Sequence, residues 1–236
     1  MKNVKKTGRV PLERALSKLG IASRTEAKAF IEGGSVKVHG KLETDPKRMV
    51  NPDTAHIELE GKKAKKDASV LYLFHKPKGC LTTKRDPEGR PTIYDFIPPE
   101  LHHLHAVGRL DLNTSGLLLL TNDTKLSNHL TDPENEVPRV YLVEVRGEFT
   151  ESDQGKALQG VEDEGDLLKA TAVKVLKKSN RESRIQLELK EGKNREIRRL
   201  CLALGHEVTM LIRISYGPHV LGDLKPGDLK IFNEKS

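Results

Sequence analysis

One carboxylate is set apart by its surroundings. In "GRLDLNTSGLLLLTND" (Gly108–Asp123), Asp111 lies between Arg109 and a small polar loop, just ahead of Leu117–Leu120. Four consecutive leucines read as a strand buried on both faces. A loop anchored on such a strand holds a side chain rigidly while its head faces a cleft. A carboxylate held in that way can serve as a nucleophile or a general base. The alternative is a turn in which Asp111 and Asn113 bond only to the local backbone, and the residue types alone do not separate the two.

Other chemistry-bearing residues are weaker signals. His102, His103 and His105 fall in a short proline-led segment with no carboxylate at a useful spacing, so no metal site is expected. Cys80 and Cys201 are far apart and lack a CxxC partner, which leaves neither a disulfide framework nor a zinc site. No GxxxxGK[ST] or GxGxxG phosphate loop occurs, and "GDLKPGDLK" reads as two turns. Lys76, Lys78, Lys84, Arg85 and Arg90 are spread through a loop punctuated by Pro77, Pro87 and Pro91. Charges of that kind more often solvate a loop than bind a partner; contact with a polyanion is the other reading.

The elements that must position these residues follow from periodicity. Leu12, Ala15, Leu16 and Leu19 make one helical stripe, with Gly20 placed to end it. Ser23 followed by Glu26 forms a capping box ahead of a second helix that stops at Gly33-Gly34. "SVKVHGKLE" predicts a hairpin turning at His39-Gly40, and "HIELEG" another strand. A charged linker, "GKKAKKDAS", puts a domain boundary near Lys66, giving domains at residues 1–66 and 67–236. In the second domain "VLYLFHKPKGCLTT" begins as a strand, and "VYLVEVRG", "ATAVKVLKK" and "SRIQLELKEG" alternate. "NREIRRLCLALGHEV" carries Ile197, Leu200, Cys201 and Leu204 on one stripe, with Asn194 as the expected N-cap and Gly205 as the stop. Strands outnumber helices without a regular βαβ series. The fold class expected is α+β, with a mixed or largely antiparallel sheet flanked by helices.

Charge is unevenly distributed. The 236-residue chain carries a net +7, yet residues 1–66 hold sixteen Lys/Arg against eight Asp/Glu, and the remainder is slightly acidic. That asymmetry favours a polyanionic partner held by the N-terminal module. With 4% aromatic residues and no Trp, a broad base-stacking surface is not expected. No apolar run approaches the ~20 residues that span a bilayer, and "MKNVKKTGRV" has charge without the apolar stretch of a secretory signal. A cytoplasmic protein is expected.

Taken together, the motifs resemble a known family. "GRLDLNTSGLLLLTND" is similar, without interruption, to the catalytic signature of the ribosomal RNA pseudouridine synthases of the RsuA/RluB group. "HKPKGCLTTKRDPEGRPTIYDFIP", "RVYLVEV" and "EGKNREIRRLCLALGHEVTMLIRISYGPHVLGDLKPGD" resemble its other blocks in the same order. The stretch "ASRTEAKAFIEGGSVKVHGK" resembles the S4-like RNA-binding domain often fused ahead of this catalytic domain.

The resemblance implies a role for each matched residue. Asp111 is the single catalytic residue, which isomerises uridine to pseudouridine with neither cofactor nor metal. Arg198 is the basic partner of that aspartate; the residues alone also allow a solvated helix face. Tyr141 lies against the target uracil, and Ile197 walls the pocket or is plain core. Arg109 holds a phosphate or fills the gap left by an extruded base. RNA contacts fall to Lys76, Lys78 and Arg90 in the catalytic domain and to Arg24, Lys28 and Lys37 in the S4-like domain. Arg195-Glu196, where some members carry a histidine-glutamine pair, is more like the branch acting on large-subunit ribosomal RNA. The partners implied are ribosomal RNA or a pre-ribosomal particle, and a monomer is expected. Two rivals remain: a non-catalytic S4-domain RNA-binding or ribosome-assembly factor, and a glycosidase, for which the matched motifs offer no obvious second carboxylate.

Overall fold

The computed structural model describes residues 8–19, 21–22, 24–63 and 68–233. The expectations placed on Gly20, Ser23 and Lys66 lie outside the described residues. Two compact units form: the chain up to Val70 together with Asn122–Thr124, and Leu71–Thr121 together with the chain from Lys125 onward.

The first unit contains β1 (Val10–Pro11), α1 (Leu12–Lys18), α2 (Arg24–Glu32), β2 (Val36–Val38), β3 (Lys41–Leu42), β4 (Met49–Val50), β5 (Ile57–Leu59) and β6 (Lys62–Lys63). The predicted stripe of α1 is buried to the last residue. Leu12, Ala15, Leu16 and Leu19 pack against Ala27 and Ile31 of α2 and against Val36, Val38, Val50 and Ile57. Strands β2, β3, β5 and β6 form an antiparallel sheet in the order β3-β2-β5-β6. The β2–β3 hairpin turns where expected, at His39 (φ 51°) and Gly40 (φ 77°). Positive φ at both central residues is the mirror-image turn that matches strand twist.

The second unit is built on a nine-stranded sheet. Its elements are β7 (Leu71–Lys76), β8 (His105–Ala106), β9 (Ser115–Thr121), α3 (Thr124–Thr131), β10 (Arg139–Arg146), α4 (Glu151–Gln159), β11 (Val161–Asp163), β12 (Asp166–Leu168), β13 (Ala172–Lys178), β14 (Glu182–Leu189), α5 (Glu196–Ala203), β15 (Val208–Tyr216), β16 (His219–Val220) and β17 (Leu229–Ile231). The order across the sheet is β13-β14-β10-β15-β9-β7-β17, with β16 beside β15 and β8 beside β9. Every pairing is antiparallel except β15 with β9. The hairpin β11–β12 stands apart as a two-stranded sheet. The chain therefore adopts the α+β class that its periodicity predicts.

Leu117–Leu120 have no accessible surface, as a strand covered on both faces requires. Each such leucine contributes roughly 1.5–3 kcal/mol of burial free energy. That makes β9 the stiff support behind the Asp111 loop. Helix α5 buries Ile197, Leu200 and Cys201 against Val143, Val145, Ile185, Leu187 and Leu189 of the sheet, and Gly205 ends the segment with φ 87°. One expectation is corrected at its start. The helix begins at Glu196, and the capping position is Arg195, in the left-handed region at φ 48°, not Asn194. The Glu196 carboxylate accepts the Lys193 N–H at 3.1 Å, so the first turn is closed from inside the helix and an Asn194 cap is not needed. Helix α4 was not anticipated, although Thr150 and Asp153 form a complete capping box at its start.

Candidate active site

The Asp111 loop connects β8 to β9 and is fastened from several directions. The Thr114 N–H donates to the Asp111 carbonyl at 3.0 Å, and the Gly79 N–H to the Leu112 carbonyl at 2.8 Å. The Thr82 hydroxyl donates to the Leu110 carbonyl at 2.8 Å and accepts from the Leu110 N–H. Lys76, the last residue of β7, sends its ammonium to the carbonyls of Asp111 (3.1 Å), Thr114 (2.9 Å) and Pro77 (3.1 Å). A lysine with no accessible surface makes no contact with RNA, so that assignment is corrected: Lys76 binds both ends of the Asp111–Thr114 turn. Burial lowers its pKa, opposed by the charges of Cys80 and Asp111.

Gly116 sets where the loop meets the sheet. Its φ is 106°, and it pairs in parallel with Arg213 of β15. A Cβ there would fall on the Arg213 backbone, 2.5 Å from its nitrogen. Only glycine permits the two strands to approach so closely.

Asp111 opens onto a cleft of about 480 Å³, a volume suited to a small organic group. Tyr141, Ile197, Arg198 and Arg109 line the same cleft. Tyr141 shares the inward phase of β10 with Arg139, Val143 and Val145, and is half-buried. It stands cross-strand from Leu187 on β14 and from Arg213 on β15, beside a register shift between Val140 and Tyr141. A bulge of that kind re-aims a side chain. Ile197, 4% exposed, is both cleft wall and core.

Arg198 lies one turn into α5. Its guanidinium donates to the Asn113 carbonyl at 2.8 Å and to the Val208 carbonyl at 3.3 Å, while Nε is buried without a partner. The hydrogen bond therefore goes to the backbone of the Asp111 loop and not to the carboxylate. The charges nonetheless sense each other: burial and the like charge of Arg195 lower the Arg198 pKa, and Asp111 works in the opposite direction.

The sequence reading missed a layer of buried cations. Arg139 donates to the carbonyls of Lys190 and Leu130 and to the Tyr216 hydroxyl, each at 3.1 Å. The Arg213 Nε–H donates to the Leu117 carbonyl at 2.7 Å. Both guanidiniums lie over the Tyr216 ring, 4.8 and 4.7 Å from its centroid, a favourable arrangement for delocalised cations. All three residues line the cleft. A signal existed: Arg139 and Arg213 occupy inward positions of alternating strands, in phase with Val143 and Leu211. Bonded to carbonyl and hydroxyl oxygens, and with one Arg213 terminal nitrogen buried without a partner, these cations leave positive potential where a phosphate backbone would approach. Two further carboxyls, Glu191 and Glu196, also line the cleft.

Other expected RNA contacts lie outside the lining of this cleft. Lys78 is exposed. Arg90 is exposed but forks onto Asp86 at 2.8 and 3.0 Å and reaches Glu88 at 3.1 Å; the contact holds the Asp86 carboxyl down at about 2. Arg24, Lys28 and Lys37 are exposed on α2 and β2 of the first unit, with Lys28 3.7 Å from Glu32. His102 and His103 bond to the carbonyls of Ile97 and Glu100. Among the described residues, no group of three His, Cys, Asp or Glu side chains could hold a metal ion. Both cysteines are buried, and burial pushes the Cys201 thiol up to about 12.

Residues 10–55 match the S4 domain family. A ribosomal large subunit pseudouridine synthase B of Bacillus subtilis is 36% identical, over 93% of this chain and 90% of that protein. Its counterpart from Salmonella typhi is 40% identical, over 87% and 73%. A crystal structure of a pseudouridylate synthase superposes with a TM-score of 0.68 at 26% identity, covering 96% of this chain and 97% of the other. Residues 70–203, which carry Asp111, Tyr141 and Arg198, match the RNA pseudouridylate synthase family, and to that family the chain belongs.

Proposed function

We propose that this pseudouridine synthase acts on a uridine of ribosomal RNA, with large-subunit RNA as its substrate, and that Asp111 is its one catalytic carboxylate. The observation that carries this reading is the convergence of Asp111, Tyr141, Ile197 and Arg198 on a single cleft. The reaction breaks the bond from uracil N1 to C1′, rotates the detached base and joins C5 to C1′. Attack on C1′, attack on C6 and removal of the 2′ proton each require an ionised carboxylate, and Asp111 is half-buried at the cleft on a braced loop. Glu191 is bonded to Lys193 at 2.6 Å and Glu196 is 4% exposed, which argues against a glycosidase-type pair with Asp111.

Tyr141 would lie against the uracil and Arg109, exposed on the rim, would hold a phosphate or occupy the space left by the extruded base. Residues 1–66, with Arg24, Lys28 and Lys37, would form the RNA-binding module, and residues 67–236 the catalytic domain. Large-subunit specificity is supported by the relatives from Bacillus subtilis and Salmonella typhi, named for that substrate. Acting on such a substrate, the protein would work in the cytoplasm.

The test is chemical mapping of pseudouridine after incubation with ribosomal RNA from cells lacking this enzyme. A new pseudouridine in large-subunit RNA is expected. Modification confined to small-subunit RNA would overturn the substrate assignment, and modification of neither would overturn the ribosomal reading.

A further inference from the structure

Glu191, Gly192, Lys193, Asn194 and Arg195 form a continuous wall of the cleft, and little in their composition makes such a loop rigid. Side chains supply the order. The Lys193 ammonium donates to the Leu167 carbonyl of β12 at 2.7 Å and to the Glu191 carboxylate at 2.6 Å. Glu196 accepts the Lys193 N–H at 3.1 Å, and the Glu196 N–H donates to the Lys193 carbonyl at 3.3 Å. Residues 193 and 196 are thus joined reciprocally.

The Glu196 carboxyl itself is short of donors. It is 4% exposed, and no donor reaches its Oε1. The nearest like charge is Glu191, on the adjoining loop, whose carboxylate holds the Lys193 ammonium. A carboxyl as dry as Glu196, facing the charge of half-buried Glu191, is disfavoured in its ionised form. A proton on Glu196 removes the buried charge that its unpartnered Oε1 would otherwise carry.

We infer that Glu196 is a positioning residue that works as an uncharged carboxyl, clamping the Glu191–Arg195 wall to the first turn of α5 and so fixing where Ile197 and Arg198 stand. Burial and the charge of Glu191 push its pKa up to about 7, against the pull of Lys193 and of its N–H. The charged groups around it are Glu191 and Lys193 from the loop, Asp166 of β12 acting on Lys193, and Arg199 of α5, itself bonded to Asp163 and Asp166. A carboxyl whose folded pKa is raised stabilises the fold while protonated. Its contribution is full below the ordinary carboxyl pKa and is lost as pH rises through about 7.

The inference rests on the proposed RNA-modifying reading only for its activity arm. The experiment compares the full-length protein with Glu196→Gln and Glu196→Ala, by thermal unfolding from about pH 5 to about pH 8.5 and by single-turnover pseudouridine formation on ribosomal RNA. Glu196→Gln is expected to melt near the wild type at the acid end and to gain on it as pH rises. It should also keep kcat within about 2-fold, whereas Glu196→Ala loses about 10-fold in kcat with little change in KM. A melting difference that does not vary with pH, or a Glu196→Gln variant as impaired as Glu196→Ala, would overturn the inference. A wild type that forms no pseudouridine would sink the functional reading instead, and the melting arm would still decide whether Glu196 is uncharged.

Discussion

Buried cations that hold carbonyls, not carboxylates, set the geometry around Asp111. Lys76 is the clearest case, since three loop carbonyls receive its three donors. Lys76→Met keeps the volume and removes every one of those bonds. Leaving buried carbonyls unpaired costs about 1–3 kcal/mol each, partly offset because the buried ammonium no longer has to be desolvated. A net loss of roughly 2–5 kcal/mol is therefore expected by urea titration, with kcat affected more than KM. Full stability in that variant would show that the lysine does not brace the turn. This role was not legible in the sequence. Lysine is rarely buried, and Pro77 marks a strand end just where Lys76 proves to be the last inward position. Asp111, Tyr141 and Ile197, by contrast, were expected together from the resemblance of their motifs to a known family, and they do line one cleft. Periodicity supplied only the elements that carry or flank them.

Among the elements, the parallel pairing of β9 with β15 fixes how the Asp111 loop approaches the sheet. Gly116→Ala would place a Cβ on the Arg213 backbone at a φ that L residues avoid. The expected loss is about 3 kcal/mol or more, read as a lowered Tm, with activity falling alongside it because the loop and Arg213 shift together. An alanine variant with the wild-type Tm would contradict the close approach. Periodicity predicted β9, β10, β14 and α5, since burial on one or both faces writes itself into the alternation of residues. It did not give the order of strands in the sheet, the shift beside Tyr141 or the left-handed start of α5. Those depend on partners distant in the chain or on backbone angles that no single residue type announces. The capping box of α4 was readable but lay in a segment with too few apolar residues to draw attention.

Across the whole molecule, the basic excess belongs to the first 66 residues, while the catalytic unit is near neutral and buries three cations, Lys76, Arg139 and Arg213, around its cleft. Replacing Arg24, Lys28 and Lys37 together by Gln, in the full-length chain, should weaken RNA binding. The salt dependence of the binding constant should also become shallower, by about one unit of slope for each phosphate that is no longer neutralised; an unchanged slope would remove these residues from the RNA interface. Within the catalytic unit, one carboxylate, Asp111, is proposed to perform the isomerisation. Asp111→Asn preserves the size of the side chain and removes its charge. Chemical mapping of pseudouridine on ribosomal RNA, run with equal amounts of folded wild type and variant, tests it directly. The wild type should modify its uridine while the variant falls by at least about 10²–10⁴-fold; a variant that converts the same uridine at the wild-type rate would contradict the account.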